Sequence, residues 1–286
     1  MSSFRYERPA SVAQATALLA EAPGRARVLA GGTDLMVALR SGAARPEVVV
    51  DVKRIPGFTD IVWSDAGDLS LGPCVLVQRI ADDPRIREVF PGLAEAAEAI
   101  GSLQIRSRAT VGGNLANASP CMDTAPALLV LGARLTAAGP GGEREIRLEE
   151  FFRGVKQTAL AGDEVVTAVR VPKPAPGARS AFDKIKRVFG HDLALVNAAA
   201  AFDTAAGTVR AALGSCGITP VLTPTLTGIG PASDAGEVGG RLAKLALDLI
   251  CPIDDVRASA EYRRDMAARL CRRLAARLLA GSGRRT

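Results

Sequence analysis

The chain has 286 residues, 48% of them hydrophobic and 4% aromatic, which suits one large domain or two domains with a core of Ala, Val, Leu and Ile. The formal net charge of +6 is concentrated from Arg257 to the last residue, where nine arginines accompany two acidic residues. This basic segment has no interleaved aromatic residues, which argues against a nucleic-acid-binding surface. No apolar run approaches the roughly 20 residues that cross a bilayer, and no secretory signal is visible, so we expect a cytoplasmic protein without a membrane span.

Cysteine and histidine usage restricts the metal chemistry. The five cysteines form no C-x-x-C pair, which disfavours a disulfide framework and a local iron–sulfur cluster. A single histidine, His191, excludes an H-E-x-x-H zinc site and is more typical of a structural than of a catalytic residue. We therefore predict no metal ligands in this chain, and no Ser–His or Cys–His signature indicates a nucleophile.

The first elements predict a βαβ-like unit. Ser11 precedes an amphipathic helical segment that ends before Pro23 and Gly24. Residues 27–30 then read as a buried strand, a helix follows Asp34, and residues 47–52 form the next strand. The unit lacks both G-x-G-x-x-G and the P-loop pattern, so a Rossmann domain and a P-loop nucleotide hydrolase are disfavoured.

The middle of the chain predicts two hairpins, several helices and a strand. The hairpins cover residues 61–71 and 134–147, and helical segments are expected between residues 80 and 100 and over 125–131. A strand over residues 164–171 precedes a connector, residues 172–177, in which three prolines cannot continue a sheet ladder. This connector is the clearest candidate for a domain boundary.

The last third predicts strands followed by a long helix. Strand-like segments occur near residues 182–188, 198–202 and 209–213, and residues 227–240 read as a Gly/Ser/Ala loop. Apolar side chains then recur every fourth residue from Tyr262 to Leu278, which indicates a packed helix with its arginines on a solvated or subunit-facing side. Residues 281–286 are predicted to be a disordered tail.

Two glycine segments are the main functional signal. Residues 30–35 read AGGTDL and residues 110–114 read TVGGN, each between an apolar run and a helix-like run. Glycine lets backbone N–H groups approach a ligand closely, and successive N–H groups in a turn or at a helix start bind anions. Two such segments could bind one diphosphate from opposite sides. Either Gly-Gly pair could instead be an ordinary turn, as expected for residues 141–142 and 239–240.

Four motifs in order resemble the medium, FAD-binding subunits of molybdenum hydroxylases. They are AGGTDL at residues 30–35, QIRSRATVGGNL at 104–115, ASPCMD at 118–123 and PIDDVRASAEYRR at 252–264. The family includes the flavin subunits of carbon monoxide dehydrogenase and the flavin domain of xanthine dehydrogenase. The resemblance covers nearly the whole chain, although Ser107 stands where relatives often have Asn and residues 228–240 replace a usually more helical stretch.

The resemblance implies an α+β fold. An FAD-binding domain of the vanillyl-alcohol-oxidase (PCMH-like) type would occupy residues 1–176, in subdomains of about 1–55 and 56–176. A smaller α+β domain with an antiparallel sheet and helices would occupy residues 177–286.

The resemblance also implies cofactor-binding positions. Those expected at the pyrophosphate or ribityl chain are Leu29, Ala30, Gly31, Gly32, Thr33, Asp34, Leu35, Thr110, Gly113 and Asn114. Ser119 and Asp123 match positions at the cofactor's sugar or adenosine part, and Val166 and Lys184 match positions near the isoalloxazine. Plainer roles remain open: Thr33 and Asn114 could close their turns, Asp34 and Asp123 could cap helices, and Lys184 could be a solvated charge.

The function implied by the resemblance is electron transfer within a heterotrimer. A large subunit would carry the molybdenum cofactor, a small subunit would carry two 2Fe–2S clusters, and this chain would hold FAD and pass electrons to an external acceptor. Two heterotrimers would form a dimer. The alternatives are a stand-alone FAD-dependent oxidase or dehydrogenase of the same superfamily and an assembly subunit without cofactor.

Overall fold

A computed structural model describes residues 3–188 and 190–280. The first part of the chain forms a three-stranded parallel sheet in the order β1-β3-β2 with two helices. Its elements are β1 (Arg5–Glu7), α1 (Val12–Glu21), β2 (Ala26–Leu29), α2 (Leu35–Ser41) and β3 (Val48–Asp51). The hydroxyl of Ser11 accepts a hydrogen bond from the Gln14 amide, which confirms the predicted cap of α1. The predicted βαβ-like unit is likewise confirmed, because β2 and β3 pair in parallel.

The middle of the chain forms a five-stranded antiparallel sheet in the order β4-β5-β10-β6-β7. Its strands are β4 (Ile61–Trp63), β5 (Leu69–Leu71), β6 (Arg134–Gly139), β7 (Gly142–Arg147) and β10 (Val165–Val171), with β8 (Phe152–Gly154) and β9 (Gln157–Thr158) as a separate hairpin. The helices are α3 (Val77–Asp82), α4 (Pro84–Val89), α5 (Pro91–Glu98), α6 (Leu103–Arg106), α7 (Val111–Ala116), α8 (Thr124–Val130) and α9 (Leu148–Phe151). Both predicted hairpins are confirmed.

The last part of the chain forms a four-stranded antiparallel sheet in the order β11-β12-β13-β14. Its elements are β11 (Arg179–Ile185), β12 (Val196–Asp203), β13 (Thr208–Gly214), β14 (Val221–Leu222), α10 (Ala235–Leu249) and α11 (Ala260–Leu279). One face of this sheet packs against α10 and α11, and the other packs against α5 and α8 of the preceding part.

The alanine-rich strand β12 explains why the sheet can be covered on both faces. Because strand side chains alternate between faces, Ala198, Ala200 and Phe202 join the core beneath α10 and α11. Ala199 lies on the opposite face, in the core that includes α5 and α8. Small side chains on both faces let helices approach this strand closely from either side.

The prediction of a loop over residues 227–240 is partly wrong, because α10 begins at Ala235. The Asp234 carboxylate caps the helix by accepting the Glu237 amide at 2.7 Å. Gly239 lies inside the helix, where an added Cβ would be 2.7 Å from the Cα of Arg272 on α11. Packing against α11 therefore outweighs the low helix propensity of glycine here.

The predicted apolar stripe of α11 is confirmed at Leu270, Leu274 and Leu278, which are buried. The prediction that the arginines of this helix face solvent or a partner is wrong at two positions. Arg263 is 2% exposed and donates to the carbonyl oxygens of Leu195 and Ser215. Arg277 pairs with Glu95 of α5 and donates to the Phe182 carbonyl of β11.

Strand β11 lies at the edge of its sheet and is covered by α5. The Gly92 amide donates to the Ser180 hydroxyl, and an added Cβ on Gly92 would lie 2.9 Å from the Ala181 nitrogen. The Glu95 carboxylate also accepts the Phe182 amide at 2.8 Å. Helix α5 therefore protects an edge that would otherwise present unpaired backbone groups.

Over residues 3–188 and 190–280, no helix is both long enough and apolar enough to cross a membrane. The tail predicted to be disordered, residues 281–286, lies outside the described residues.

Candidate cofactor-binding site

A cleft with a volume of about 740 Å³ lies between the parallel sheet and the antiparallel five-stranded sheet. Both glycine segments line it, together with strand β10. Ten of the predicted positions lie on its walls: Ala30, Gly31, Gly32, Thr33, Asp34, Leu35, Thr110, Gly113, Asn114 and Val166. The structure therefore brings together two segments that lie far apart in the sequence.

The first wall is the turn between β2 and α2. Within the described residues, the backbone amides from Gly31 to Leu35 donate no hydrogen bond to the protein; the first helical bond of α2 runs from the Met36 amide to the Gly32 carbonyl. Gly32 has a φ of +76°, a conformation that favours glycine. Successive free amides at the start of a helix are the donor arrangement that binds phosphate.

The second wall is a helix rather than the predicted loop. Its glycines, Gly112 and Gly113, lie in the first turn of α7, which Thr110 caps through its hydroxyl. The amides of Val111, Gly112, Gly113 and Asn114 all donate within the protein, to Val75, Pro73 and Thr110. This wall therefore offers side chains, rather than backbone amides, to a ligand.

The side chain of Asn114 is held by a neighbour. The Thr124 hydroxyl donates to its Oδ1 at 2.6 Å, and among the described residues its Nδ2 has no partner. This contact leaves the amide NH₂ group as the end available to a ligand. Thr124 is fully buried at the start of α8, so the orientation of Asn114 depends on the position of that helix.

Close backbone contact joins the two walls. An added Cβ on Gly31 would lie 2.2 Å from the Arg108 carbonyl oxygen, a separation that no side chain could occupy. On the second wall, an added Cβ on Gly112 would lie 2.5 Å from the Cβ of Pro73. Glycine is therefore required here for packing as well as for ligand approach.

Lys156 is a cleft residue that the sequence analysis missed. It lies in the turn between β8 and β9 with a φ of +59°. Its Nζ donates to the Asn117 Oδ1 at 2.7 Å and lies 3.8 Å from the Asp34 Oδ1. The lysine thus links the ends of both walls and brings a positive charge to the cleft. No local motif marks it, because only the fold brings this turn to the cleft.

A carboxylate also lines the cleft, but it has a partner. Glu164 forms a two-point ion pair with Arg144, at 2.7 and 2.8 Å. This hydrogen bonding holds the pKa of the Glu164 carboxyl below its ordinary value. Beside it, Val166 lies at a bulge in β10 and turns an apolar side chain to the cleft wall.

Asp123 and Lys184 do not line the cleft and instead form a buried ion pair. The Lys184 Nζ lies 2.8 Å from the Asp123 Oδ2, and the side chains are 4% and 6% exposed. Asn197 donates to the Asp123 Oδ1 at 2.7 Å, and Lys184 also donates to the Ala99 carbonyl. Burial raises the pKa of the Asp123 carboxyl, while the ammonium and the Asn197 amide oppose that rise.

The pair still lies close to the cleft along the chain, because Asp123 directly precedes Thr124, the partner of Asn114. Leu29 and Ser119 are also outside the lining of the cleft. Leu29 ends β2, and the Ser119 hydroxyl accepts the Cys121 amide at 3.4 Å. The cofactor roles of these four positions stay predictions.

Two family models match the chain. Residues 2–174 match the FAD binding domain in molybdopterin dehydrogenase, and residues 180–278 match the CO dehydrogenase flavoprotein C-terminal domain. The carbon monoxide dehydrogenase medium chain of Afipia carboxidovorans is 34% identical over 95% of each chain. The nicotine 6-hydroxylase medium subunit of Paenarthrobacter nicotinovorans is 30% identical over 96% of each chain.

Solved structures have the same fold. A carbon monoxide dehydrogenase from Hydrogenophaga pseudoflava, lacking the Mo-pyranopterin moiety, matches with a TM-score of 0.91 and 30% identity over 97% of this chain and 98% of that one. Quinoline 2-oxidoreductase from Pseudomonas putida 86 matches with a TM-score of 0.89 and 28% identity over 99% of each chain. These matches confirm the predicted α+β FAD-binding fold.

The chain belongs to the FAD-binding medium-subunit family of molybdenum hydroxylases. The predictions of this family, of FAD as the cofactor and of an oxidoreductase subunit are confirmed. The matches cover almost the full length of medium chains, which favours a subunit of a larger enzyme over a stand-alone oxidase.

The cleft residues fit FAD. The cleft volume of about 740 Å³ lies within the usual range for sites that enclose a ligand. The free amides from Gly31 to Leu35 are suited to the diphosphate, and Lys156 supplies a positive charge. Apolar side chains such as Val166 provide a surface for a flat ring.

Replacement of Gly31 by alanine is expected to disrupt the cleft, because the new Cβ would collide with the Arg108 carbonyl oxygen. Overpacking of this kind costs about 1–3 kcal/mol. We expect a lower melting temperature and loss of bound FAD, measured by thermal unfolding and flavin absorbance. Gly141→Ala is the control, since no atom lies within 4 Å of its Cβ position. Native flavin content and stability in Gly31→Ala would contradict the close contact.

Replacement of Lys184 by methionine is expected to leave the Asp123 carboxylate buried without its counter-ion. Breaking a buried pair in this way costs about 3–5 kcal/mol, measurable as a fall in the free energy of unfolding in urea. The control is Lys244→Met, because Lys244 is an exposed lysine on α10. Equal stabilities of the two variants would show that the pair contributes little.

Proposed function

We propose that this chain is the FAD-carrying electron-transfer subunit of a heterotrimeric molybdenum hydroxylase. In this assembly it receives electrons from 2Fe–2S clusters on a small subunit and delivers them to an external acceptor. The observation that carries the proposal is the row of free amides from Gly31 to Leu35 facing Asn114 across the cleft. The near full-length similarity to medium chains of dehydrogenases supports it.

The first wall binds by its backbone. The amides of residues 31–35 would donate to the diphosphate oxygens, and the positive end of α2 adds to their attraction for negative charge. Asp34 starts this helix, but its carboxylate makes no capping bond and lies 63% exposed. Its nearest cation is Lys156, which reduces the repulsion between this carboxylate and a phosphate.

The second wall orients the ligand by side chains. The Thr110 hydroxyl, which already accepts the Gly113 amide, retains its proton for donation, and the Asn114 NH₂ group offers two more donors. FAD, when bound, supplies an electron store that exchanges electrons singly or in pairs. The chain's task in this proposal is to bind, orient and tune the cofactor.

The remaining site positions are proposed on the family pattern. Ser119 and Asp123 would meet the sugar or adenosine part, and Lys184 and Val166 would approach the isoalloxazine. Val166 lines the cleft, which supports its role. Asp123 and Lys184 are paired with each other outside the cleft lining, so their effect on the cofactor would be indirect, through the position of α8 and of Asn114.

The assembly and the domain division are part of the proposal. The partners would be a large molybdenum-cofactor subunit and a small 2Fe–2S subunit, in a dimer of heterotrimers in the cytoplasm. We propose domains at residues 1–176, with subdomains of about 1–55 and 56–176, and at residues 177–286. The two family models support this division, since they meet at the proline-rich connector.

The function is tested by isolating the affinity-tagged chain from cells that make its partners. We expect a yellow complex of three polypeptides that contains FAD, iron and molybdenum, and whose flavin absorbance bleaches when the complex oxidises its substrate without an acceptor. A colourless chain would refute the cofactor assignment. A yellow chain that is isolated alone and turns over a substrate would favour the stand-alone oxidase.

Removal of the Lys156 charge is expected to weaken FAD binding. In Lys156→Met the affinity should fall about threefold to tenfold, because a half-exposed charge-assisted contact to phosphate is lost. The loss should be greatest at low salt and absent in Lys156→Arg. FAD fluorescence quenching measures the affinity, and Lys244→Met on the exposed face of α10 is the control. Unchanged affinity in Lys156→Met would remove this residue from the site.

A further inference from the structure

A second cavity of about 320 Å³ lies beneath the proline-rich connector. Its walls come from residues 172–178, from the end of α8 and from strands β11, β12 and β13. It shares no lining residue with the cofactor cleft. The known function of the family therefore does not account for it.

The cavity contains a cation that lacks a nearby counter-ion. Arg210 of β13 reaches the end of α8, where its Nε donates to the Val130 carbonyl at 2.9 Å. Within the described residues, this is the only hydrogen bond of the guanidinium, and it forms no ion pair with a carboxylate. Glu149, whose charge acts on Arg210, is already paired with Arg147.

Burial makes the lack of a counter-ion at Arg210 more costly. The guanidinium is largely withdrawn from water, and this desolvation lowers the pKa of Arg210 from its ordinary value. Its Nη2 lies against Gly132, where an added Cβ would be 3.3 Å away. A guanidinium that stays charged in such a place gains most from an anion that can accept two hydrogen bonds at once.

Two other charged groups of the cavity, Arg179 and Asp203, are already engaged, and a third, Lys173, is exposed on the connector. Arg179 donates to the carbonyl oxygens of Leu278 and Leu279, at the negative end of α11. The Asp203 Oδ1 accepts the amides of the following turn, from Ala205 and Ala206. Arg210 is therefore the group best placed to meet an incoming ligand.

The rest of the lining combines hydroxyl groups, from Ser180, Thr208 and Thr225, with aliphatic side chains. Val89, Leu131, Pro172, Pro174, Ala175 and Ala201 contribute aliphatic surface. A cavity of this size holds a small molecule, and the Arg210 guanidinium beside aliphatic surface favours a ligand with one anionic end and an apolar body. A fully hydrated inorganic anion would lose its water without gaining apolar contact.

We propose that this cavity binds a small organic monocarboxylate, with the carboxylate on the Nη groups of Arg210 and the apolar body against Leu131 and Pro174. The ligand would join the connector to α8 and to the sheet of the last part of the chain. Its occupancy would thereby stabilise the contact between the two family-model regions, separately from the cofactor cleft.

Benzoate serves as the probe, titrated into the full-length chain by isothermal calorimetry and by ligand-detected NMR. We expect saturable binding of benzoate and none of benzamide, which has the same shape without the charge. In Arg210→Gln the affinity should fall about tenfold or more, because a charge-assisted pair is lost. Arg241→Gln, which removes an exposed arginine of α10 outside the cavity, is the matched control and should bind as the native chain does.

A second variant keeps the test independent of any folding defect in Arg210→Gln. Ala201→Leu retains the guanidinium but fills the cavity, so it should lose benzoate binding while keeping the native melting temperature within a few degrees. No saturable binding to the native chain would overturn the proposal. Equal binding of benzamide, or undiminished binding to both cavity variants, would also overturn it.

Discussion

The candidate site depends on the contact between the backbone at Gly31 and the carbonyl of Arg108. This contact leaves no room for a side chain, and it brings the turn after β2 directly against the segment that leads into α7. Because the turn's amides make no bonds within the described protein, their hydrogen-bonding capacity remains directed to the cleft. A wider separation would remove the site, since neither wall alone encloses a dinucleotide.

Helix α8 couples this site to the last part of the chain. Its first residue, Thr124, orients Asn114 in the cleft, while the preceding Asp123 pairs with Lys184 of β11. The same helix packs against β12, whose alanines permit close approach on both faces. The buried ion pair is therefore placed where a shift of the terminal sheet would reach the cofactor cleft. The added hydrogen bonds to the Ala99 carbonyl and from Asn197 offset part of the cost of burying the two charges.

Local signals predicted much of the secondary structure. The Ser11 cap, the hairpin turn at Gly141 and the stripe along α11 each depend on a few neighbouring residues, so periodicity and turn chemistry sufficed. The errors arose where tertiary packing outweighed propensity. Gly239 lies within α10 because it must approach α11, and Arg277 is drawn inward by Glu95 of a distant helix.

The sequence by itself determined the family, the glycine-rich first wall and the succession of sheets, because those features are encoded in short ordered motifs. Only the tertiary structure decided that the amides of the second wall are used within the protein, that Lys184 pairs with Asp123, and that Lys156 reaches the cleft. The physical reason is that a donor's availability depends on which partners the fold brings within hydrogen-bond distance, and those partners are remote in sequence.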